Sequence, residues 1–361
     1  GFLKFLSIFT NPKYFFLKNL KNPAMIFFFI RMIRWQKNAA HIRKMWKDQG
    51  VAVPFFMPIS ITYRCNLKCP GCYTQAQDRC LDKEMSINQL KHVLAQAKEI
   101  GIPVILILGG EPLVRQEILD IIQDFPEIIF PLLTNGLFFD ESTINRIKKQ
   151  KNIIPLISLE GPEQETDQRR GKGVFEHNLK VMEMMYQQKV FFGTSITITR
   201  RNFDIVLDEQ FIMQLIAKKC NIIGFVEYFP LEEGTDDLRI TEEQRKTKLG
   251  LIESFRAKFR SIFFIDLPGD EDAFGGCLFR DGGLVHVSAD GHVEPCVFFP
   301  VSDSNLKDMP LIEALKSPIL RTIRENGEQI NDTKRACVFW ENRELVDSTV
   351  RAKKAEKLLN A

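Results

Sequence analysis

Six apolar runs that alternate with helical segments constrain the fold of this chain more than any other feature. The runs are rich in Ile, Val, Leu and Phe and lie at 57–63, 104–108, 129–133, 153–159, 191–198 and 222–228. The helical segments lie at 86–100, 114–125, 141–149, 174–188, 204–219 and 241–260. Runs that are apolar throughout are typical of parallel strands buried on both faces. The pattern predicts an α/β fold, a partial (β/α)6 TIM-like barrel of parallel strands, whose site forms at the carboxyl ends of the strands.

Changes in composition predict four segments along the chain. Residues 1–54 are a basic, Phe-rich helical segment, and residues 55–262 form the barrel. Gly and Asp become frequent in residues 263–345, where a hairpin of 284–288 and 292–297 turns at Ala289-Asp290-Gly291. A helix at about 310–325 follows it. We therefore expect a small α+β domain there, followed by a helical tail at 346–361.

The amino-terminal segment is strongly basic. Residues 1–50 hold ten Lys and Arg and one acid, Asp48, which gives +9 there and 3 − 9 = −6 for the rest of the 361-residue chain. Asn11-Pro12 and Asn22-Pro23 each resemble a helix start, so we expect helices at about 2–10, 12–21 and 23–48. Short helices rich in Phe and in Lys or Arg are typical of segments that lie in a membrane interface. A helical cap folded onto the barrel is the alternative.

Targeting signals and membrane spans are not evident. Nothing near the start resembles a secretory cleavage site, and no apolar run reaches the ~18 residues needed to cross a bilayer. We therefore expect a cytoplasmic protein that is peripheral on the inner face of the membrane, with an anionic membrane surface as a partner and no nucleic acid.

A loop with three cysteines follows the first predicted strand. Cys65, Cys69 and Cys72 are spaced so that three thiolates can surround one corner of a compact metal centre. A chain of this length does not need disulfides, and close cysteines fit metal binding in a reducing cytoplasm. Structural zinc would need a fourth ligand nearby, and Cys80 is the candidate for that alternative.

Further polar motifs follow the next three strands. Gly109-Gly110-Glu111-Pro112 follows the second strand and Thr134-Asn135-Gly136 the third. Ser158-Leu159-Glu160-Gly161-Pro162 ends the fourth, with Arg169-Arg170-Gly171 shortly after it. Because the carboxyl ends of parallel strands meet at one edge, we expect these motifs to lie near the cysteine loop.

The CxxxCxxC loop followed by Gly-Gly-Glu-Pro resembles the radical S-adenosylmethionine (radical SAM) superfamily. The resemblance implies a [4Fe–4S] cluster on Cys65, Cys69 and Cys72 whose open iron binds SAM. It implies an enzyme that reductively cleaves SAM to a 5′-deoxyadenosyl radical, which abstracts hydrogen from the substrate. A reductant such as ferredoxin or flavodoxin is implied as the electron donor.

The resemblance also implies roles for residues at the strand ends. Gly109, Gly110, Glu111 and Pro112 would bind SAM, with Glu111 accepting a hydrogen bond from its ammonium group. Asn135, Ser158 and Glu160 would contact SAM or the substrate, and Arg170 a carboxylate. Turn chemistry is the alternative reading of the strand-end motifs, and a solvated surface arginine that of Arg170. The family usually has an aromatic residue before the third cysteine, where this chain has Gly71.

A second set of cysteines lies near the carboxyl terminus. Cys277, Gly291 and Cys296, with Cys337 beyond them, resemble the opening of a SPASM or Twitch auxiliary-cluster domain. The resemblance implies a second [4Fe–4S] cluster, whose fourth ligand is open. Cys80 and Cys220 are candidates, although each is expected to be a buried free thiol. His286 and His292 flank the hairpin tip, where we expect solvated side chains.

Three functions fit these features. The first is a radical SAM oxidoreductase that acts on an apolar membrane lipid and forms a C–C bond between alkyl chains, because the basic Phe-rich segment would dock at a bilayer. The second is a peptide maturase that makes thioether or C–C crosslinks in a ribosomal peptide. The third is a non-catalytic iron–sulfur electron carrier, which leaves Glu111 without a purpose.

Overall fold

The computed structural model describes residues 23–77, 79–271, 276–279, 282–325 and 348, with side chains described from residue 30 onward. Cys337 and the expected helices at 2–10 and 12–21 lie outside the described residues, as does the tail at 346–361 except for residue 348. None of the described helices is long and apolar enough to span a bilayer.

A nine-stranded sheet forms the centre of the fold, with the order β7-β6-β5-β4-β3-β2-β1-β8-β9. Its strands are β1 (Phe56–Ser60), β2 (Val104–Leu108), β3 (Phe130–Thr134), β4 (Ile153–Leu159), β5 (Gly193–Ile198), β6 (Ile222–Glu227), β7 (Phe263–Leu267), β8 (His286–Val287) and β9 (Val293–Glu294). Strands β1 to β7 pair in parallel with their neighbours, which confirms the predicted partial barrel. The structure adds β7, a seventh parallel strand beyond the predicted limit at residue 262.

Helices connect the strands and cover the outer face of the sheet. They are α1 (Pro23–Asp48), α2 (Tyr73–Ala76), α3 (Ile87–Glu99), α4 (Ile118–Ile122), α5 (Glu141–Lys149), α6 (Glu163–Arg170), α7 (Val174–Gln187), α8 (Phe203–Val206), α9 (Glu209–Ala217), α10 (Glu242–Lys258), α11 (Leu311–Ala314) and α12 (Pro318–Glu325). The helix predicted at 204–219 is two helices, because the Asp208 side chain caps a new helix start at Glu209. Capping boxes at Ser86 and Thr241 start α3 and α10.

The carboxyl-terminal hairpin β8–β9 belongs to the same sheet as the barrel. Ile59 of β1 pairs in parallel with Val287 of β8. Beside this pair, the Ser60 hydroxyl lies 2.9 Å from His286 Nε2, and His286 Nδ1 lies 2.9 Å from Glu294 Oε2. His286 is only 2% exposed, so the expectation that it is solvated was wrong. The reason is that the hairpin packs edge-on against β1 instead of standing free.

Helix α1 is attached to the end of the barrel where the strands begin. Gln36 Nε2 donates to the carbonyl of Pro103 at 3.4 Å, and Arg43 donates to the carbonyl of Gly101 at 2.5 Å. Both carbonyls lie just before β2. Met32 is buried, and Trp46 packs against the core. The predicted helix at 23–48 is therefore confirmed, and Met32 and Trp46 attach it to the barrel.

A buried group of ion pairs joins α10 to the last two strands. Lys248 is fully buried, and its ammonium lies 2.6 Å from Asp266 of β7 and 4.0 Å from Glu227 of β6. Arg245 donates to both carboxylate oxygens of Glu227. Burial raises the pKa of Asp266 to about 6, although Lys248 opposes the shift.

Candidate active site

A cavity of about 310 Å³ opens at the carboxyl ends of the parallel strands. Five cysteines line it: Cys65, Cys69, Cys72, Cys277 and Cys296. The structure therefore brings the cysteine loop and the two described cysteines of the second set, Cys277 and Cys296, to one shared space. Most of the other predicted site residues also line it, namely Gly109, Gly110, Glu111, Asn135, Ser158 and Arg170.

The cysteine loop is held in shape from the opposite side of the barrel. Gly71 has a φ of 67°, and a Cβ there would overlap the hydroxyl of Tyr228, which follows β6. The N–H of Gly71 donates to Glu232 Oε2 at 2.9 Å. Any other residue at position 71 would therefore meet both backbone strain and a side chain in its space. The ring of Tyr228 lies where the side chain of an aromatic residue at position 71 would begin. Tyr228 thus takes up the space beside the third cysteine.

The thiols of this loop are close enough for Cys69 and Cys72 to influence the pKa of Cys65 electrostatically. Burial raises the pKa of the Cys65 thiol, and the neighbouring Cys69 and Cys72 add to the rise. Within the described part of the chain, no three His, Cys, Asp or Glu side chains are close enough to hold a single metal ion. The three thiols line one cavity, and thiolates are the ligands of a cluster of several irons, so they fit such a cluster with three protein ligands.

Glu111 lies beside the cysteine loop and is 1% exposed. Its Oε1 accepts from the N–H of Leu113 at 3.1 Å and from the Thr134 hydroxyl at 2.8 Å, and its Oε2 accepts from the N–H of Asn135 at 2.7 Å. Burial nevertheless raises the pKa of Glu111. A carboxylate has about four lone-pair sites, so Oε2 keeps one for a donor in the cavity.

Gly109 and Gly110 are needed for contact with the chain itself. A Cβ at Gly109 would overlap the carbonyl oxygen of Thr62, and one at Gly110 would overlap that of Arg64. The N–H of Gly110 donates to Thr62 O at 2.8 Å. The Gly-Gly turn thus supports the backbone that leads into the cysteine loop, and the buried Pro112 begins a 3-10 turn behind it.

Asn135 and Ser158 lie at the same level of the barrel. Asn135 Nδ2 donates to Asn66 Oδ1 at 2.8 Å and lies 3.9 Å from the Cys65 sulfur, so it contacts the cysteine loop directly. Ser158 is paired in register with Ser195 of β5, and both line the cavity. Together they form a polar layer just below the loop.

Glu160 was expected to contact SAM or the substrate, but its carboxylate faces two arginines. It is 2% exposed, and its two oxygens pair with Arg169 at 2.7 Å and Arg170 at 2.6 Å. Both guanidinium groups line the cavity, and their charges oppose the burial-driven rise of the Cys69 pKa. Glu160 therefore holds two arginines at the cavity, and the group of these three side chains has one net positive charge.

Cys277 and Cys296 line the cavity together with the first cysteine set, and both are half-buried. The two thiols proposed as additional ligands behave differently. Cys220 is buried and its pKa is raised to about 12, as expected of a free thiol in the core. Cys80 is exposed, so the expectation that it is buried was wrong. Cys80 directly follows Arg79. The guanidinium of Arg79 pairs with Glu294 of β9 at 2.8 Å, which attaches this segment to the hairpin.

Several aromatic side chains in the site were not identified from the sequence. Phe298 packs edge-on against Tyr73, with ring centroids 5.5 Å apart, and lies 4.4 Å from the ring of Phe229. Arg169 lies over the ring of Tyr228 at 5.8 Å. These residues come from three distant parts of the chain, so no local spacing could reveal them. The available signal was that Tyr228 ends a predicted strand and Phe229 directly follows it.

The cavity continues downward into the lumen of the barrel, where its wall is apolar. Phe56 and Pro58 of β1 and Leu106 and Leu108 of β2 line this part on one side. Leu278 and Leu284 of the carboxyl-terminal segment also line this part, and Leu284 forms a parallel bridge with Phe56. A thiol-lined upper part thus passes into an apolar lower part.

Comparison with known proteins agrees with this geometry. Residues 59–204 match the model of the radical SAM superfamily. The chain is 25% identical over 305 residues to an AdoMet-dependent heme synthase of Methanosarcina barkeri, covering 76% of this chain and 86% of the relative. It is 26% identical over 257 residues to the antilisterial bacteriocin subtilosin biosynthesis protein AlbA of Bacillus subtilis, covering 69% and 56%.

Among solved structures, Streptococcus suis SuiB has a similar fold. Its complex with S-adenosylmethionine superposes with a TM-score of 0.64 at 19% identity, covering 80% of this chain and 72% of that one. Its complex with the precursor peptide SuiA gives a TM-score of 0.63 at 18% identity, with 80% and 71% covered.

Proposed function

Because the protein is a radical SAM enzyme, which binds a [4Fe–4S] cluster and SAM, we propose that it abstracts one hydrogen atom from each of two alkyl chains of membrane lipids and joins the two chains through a C–C bond. Each new bond would consume two SAM molecules and two electrons from the reductant, and the two hydrogens would leave in two molecules of deoxyadenosine. The observation that carries this proposal is the apolar lumen directly below the cysteine loop. An alkyl chain offers no acidic proton, so acid–base chemistry cannot activate it, whereas hydrogen-atom abstraction can.

The cysteine loop would hold the cluster through Cys65, Cys69 and Cys72. When bound, the cluster and SAM supply an electron transfer and a hydrogen-abstracting group. The chain's own contribution is orientation and exclusion of water. Gly71 and Tyr228 fix the loop, and Asn135 contacts it at Cys65.

Glu111 and the two arginines would orient SAM by charge. The remaining lone pair on Glu111 Oε2 is placed to accept from an ammonium group. Arg169 and Arg170 together carry one more positive charge than Glu160 neutralises, so they would attract a carboxylate. An amino acid moiety presents both groups, which supports this division of roles.

The carboxyl-terminal cysteines would hold an auxiliary cluster. Cys277 and Cys296 line the same cavity as the cysteine loop, which supports a second cluster facing the substrate. Cys337, outside the described residues, is the third proposed ligand. Two four-iron clusters would give about eight iron atoms per chain, and one cluster would give about four.

The exposed side of α1 supports docking at an anionic membrane. Arg31, Arg34, Lys37, Lys44 and Lys47 are exposed there, and the single acid, Asp48, is bonded to Lys44 at 2.7 Å. Exposed Ile30 and Met45 add apolar surface on the same helix. Each basic residue near an anionic surface contributes about 1 kcal/mol.

Maturation of a ribosomal peptide is the second candidate function. It is favoured by the similarity to AlbA, a bacteriocin biosynthesis protein, and to SuiB, whose structure contains a precursor peptide. A peptide could enter the same cavity with an apolar side chain in the lumen. The two candidates therefore differ in the substrate and share the cysteine loop.

A substrate comparison under anaerobic conditions separates them. Cluster-loaded enzyme with SAM and reductant would be offered membrane lipids from its source or short peptides encoded beside its gene, with Cys69→Ala as the inactive control. We expect deoxyadenosine only with lipid, and a lipid product lighter by two hydrogens for each new C–C bond. No response to lipid, together with turnover of a peptide, would refute the lipid proposal and support the second candidate.

Vesicle flotation tests the docking surface separately. Neutralising Arg34, Lys37 and Lys44 to Gln should weaken binding to vesicles that contain phosphatidylserine. The matched control neutralises the exposed Lys148 and Lys180, which lie on α5 and α7, and Lys218, which directly follows α9. Equal flotation of both variants would remove the membrane face from the proposal.

A further inference from the structure

The lower half of the lumen is filled on one side and open on the other. Inward side chains of β3 to β7 form a separate apolar cluster made of Leu156, Ile222 and Phe263 with Leu133, Ile154, Phe191 and Ile265. The opening is left between this cluster and β1, where the cavity reaches Phe56, the first residue of β1. Phe56 forms a parallel bridge with Leu284, and both side chains are only half-buried.

The polarity of the lumen changes with depth. Asn135, Ser158 and Ser195 lie near the strand ends, at the level of Gly110 according to the strand registers. Pro58 and Leu106 are register partners at one deeper level, and Phe56 lies two residues deeper still. No charged side chain lines those levels among the described residues. Two kinds of ligand fit this gradient. One has a polar end near the cysteine loop and a long apolar part below it, and the other is an apolar chain that extends through the whole depth of the lumen.

We propose that the lumen is a binding channel for one linear alkyl chain, which lies along β1 and passes over the side chains of Phe56 and Leu284, between them and the apolar cluster of β3 to β7, at the end where the strands begin. This inference rests on the proposed function, because it takes a lipid as the substrate class. Four residue steps separate Phe56 from Ser60, which is about 13 Å of strand and matches roughly ten carbons of an extended chain. Phe56 and Leu284 thus determine how much of the chain the channel can enclose.

The position of α1 agrees with entry from this end. Its contacts with the carbonyls of Gly101 and Pro103 place the basic helix at the beginning of β2, which is the neighbour of β1. A bilayer that binds this helix would therefore lie at the same end of the barrel as Phe56 and Leu284. The alkyl chain could then move from the bilayer into the lumen without crossing water, while its reacting carbon approaches the cysteine loop.

Calorimetric titration of the full, cluster-loaded chain with saturated fatty acids tests the channel without turnover. From about six carbons upward, affinity should rise roughly three- to fourfold for each added methylene until the lumen is filled, and then level off. In Leu284→Trp, the chain length at which affinity stops rising should become shorter. In Phe56→Ala, it should become longer. Phe259→Ala is the matched control, because this half-buried Phe packs on Phe255 and Phe264 outside the cavity.

The outcomes separate this inference from the proposed function. Length dependence that shifts in opposite directions in the two variants, and stays unchanged in Phe259→Ala, supports the channel. An affinity independent of chain length, or an identical levelling point in all variants, overturns it even if lipid is turned over. A length-dependent affinity without any lipid turnover keeps the channel and refutes the lipid reaction.

Discussion

Replacing Glu160 with Gln tests whether this residue anchors the two arginines of the site. Glu160 is 2% exposed, and its oxygens lie 2.7 and 2.6 Å from Arg169 and Arg170, whose side chains are 19% and 13% exposed. The substitution keeps the volume and removes the charge, so two largely buried guanidinium groups lose their counterion. Removing one partner of a buried pair typically costs 3–5 kcal/mol, and the remaining exposure of the arginines favours the lower end, about 3 kcal/mol.

Urea unfolding under anaerobic conditions measures this loss. With a slope of about 3 kcal/mol per molar for a chain of this size, the midpoint should fall by roughly 1 M. Glu163→Gln is the control, because Glu163 lies exposed on the neighbouring helix α6. In Glu160→Gln/Arg170→Met, the loss should be smaller than the sum of the single losses, because the second change removes an unpaired charge. Equal midpoints for Glu160→Gln and Glu163→Gln would refute the anchoring role.

Three further predictions follow from described contacts. Gly71→Ala should lower the iron bound per chain after reconstitution, and Tyr228→Phe in the same chain should partly restore it by removing the clashing hydroxyl; iron analysis that shows no loss in Gly71→Ala contradicts this. His286→Ala should lower the free energy of unfolding by about 2 kcal/mol in the same urea assay. His292→Ala is the control, because its side chain is 42% exposed, and it should change the free energy by less than about 0.5 kcal/mol. Similar losses in the two variants would show that the Ser60–His286–Glu294 contact does not stabilise the fold. Because the pKa of Asp266 is raised to about 6, the folded protein holds a proton between about pH 6 and pH 4 that the unfolded chain releases. Lowering the pH from 7 to 5 should therefore stabilise the wild type by about 1 kcal/mol relative to Asp266→Asn. Parallel curves of stability against pH for the two proteins would contradict the raised pKa.

The parallel sheet could be predicted because its strands are bounded runs of apolar residues. The limits at 104–108 and 153–159 agree with the structure, since both strands are buried and end at polar turns. Strand β7 was not predicted, and its short sequence includes Asp266, a residue type that is uncommon in buried strands. Lys248, eighteen residues earlier, neutralises that carboxylate inside the fold, and such pairing between distant residues is not visible in a local pattern.

The cysteines could be located by their spacing, but the contacts around them could not. Gly71 reads as a missing aromatic residue, and only the fold shows that Tyr228 already occupies the space beside it. Glu160 reads as a ligand contact because it follows a strand, yet it turns toward two arginines on the next helix. In both cases the deciding neighbour is set by how the elements pack, which the residue types at the motif do not determine.

The pairing of β8 with β1 has a consequence for how the chain is made. The hydrogen bond between Ser60 and His286 joins residues 226 positions apart, so the outer edge of β1 stays unpaired until most of the chain has left the ribosome. Contacts of such long sequence separation form late, and exposed strand edges recruit other chains in the meantime. A chain that ends just before residue 284 should therefore aggregate during synthesis even though all seven parallel strands are complete. Expression of the barrel alone should need β8 and β9, or a chaperone that covers the same edge.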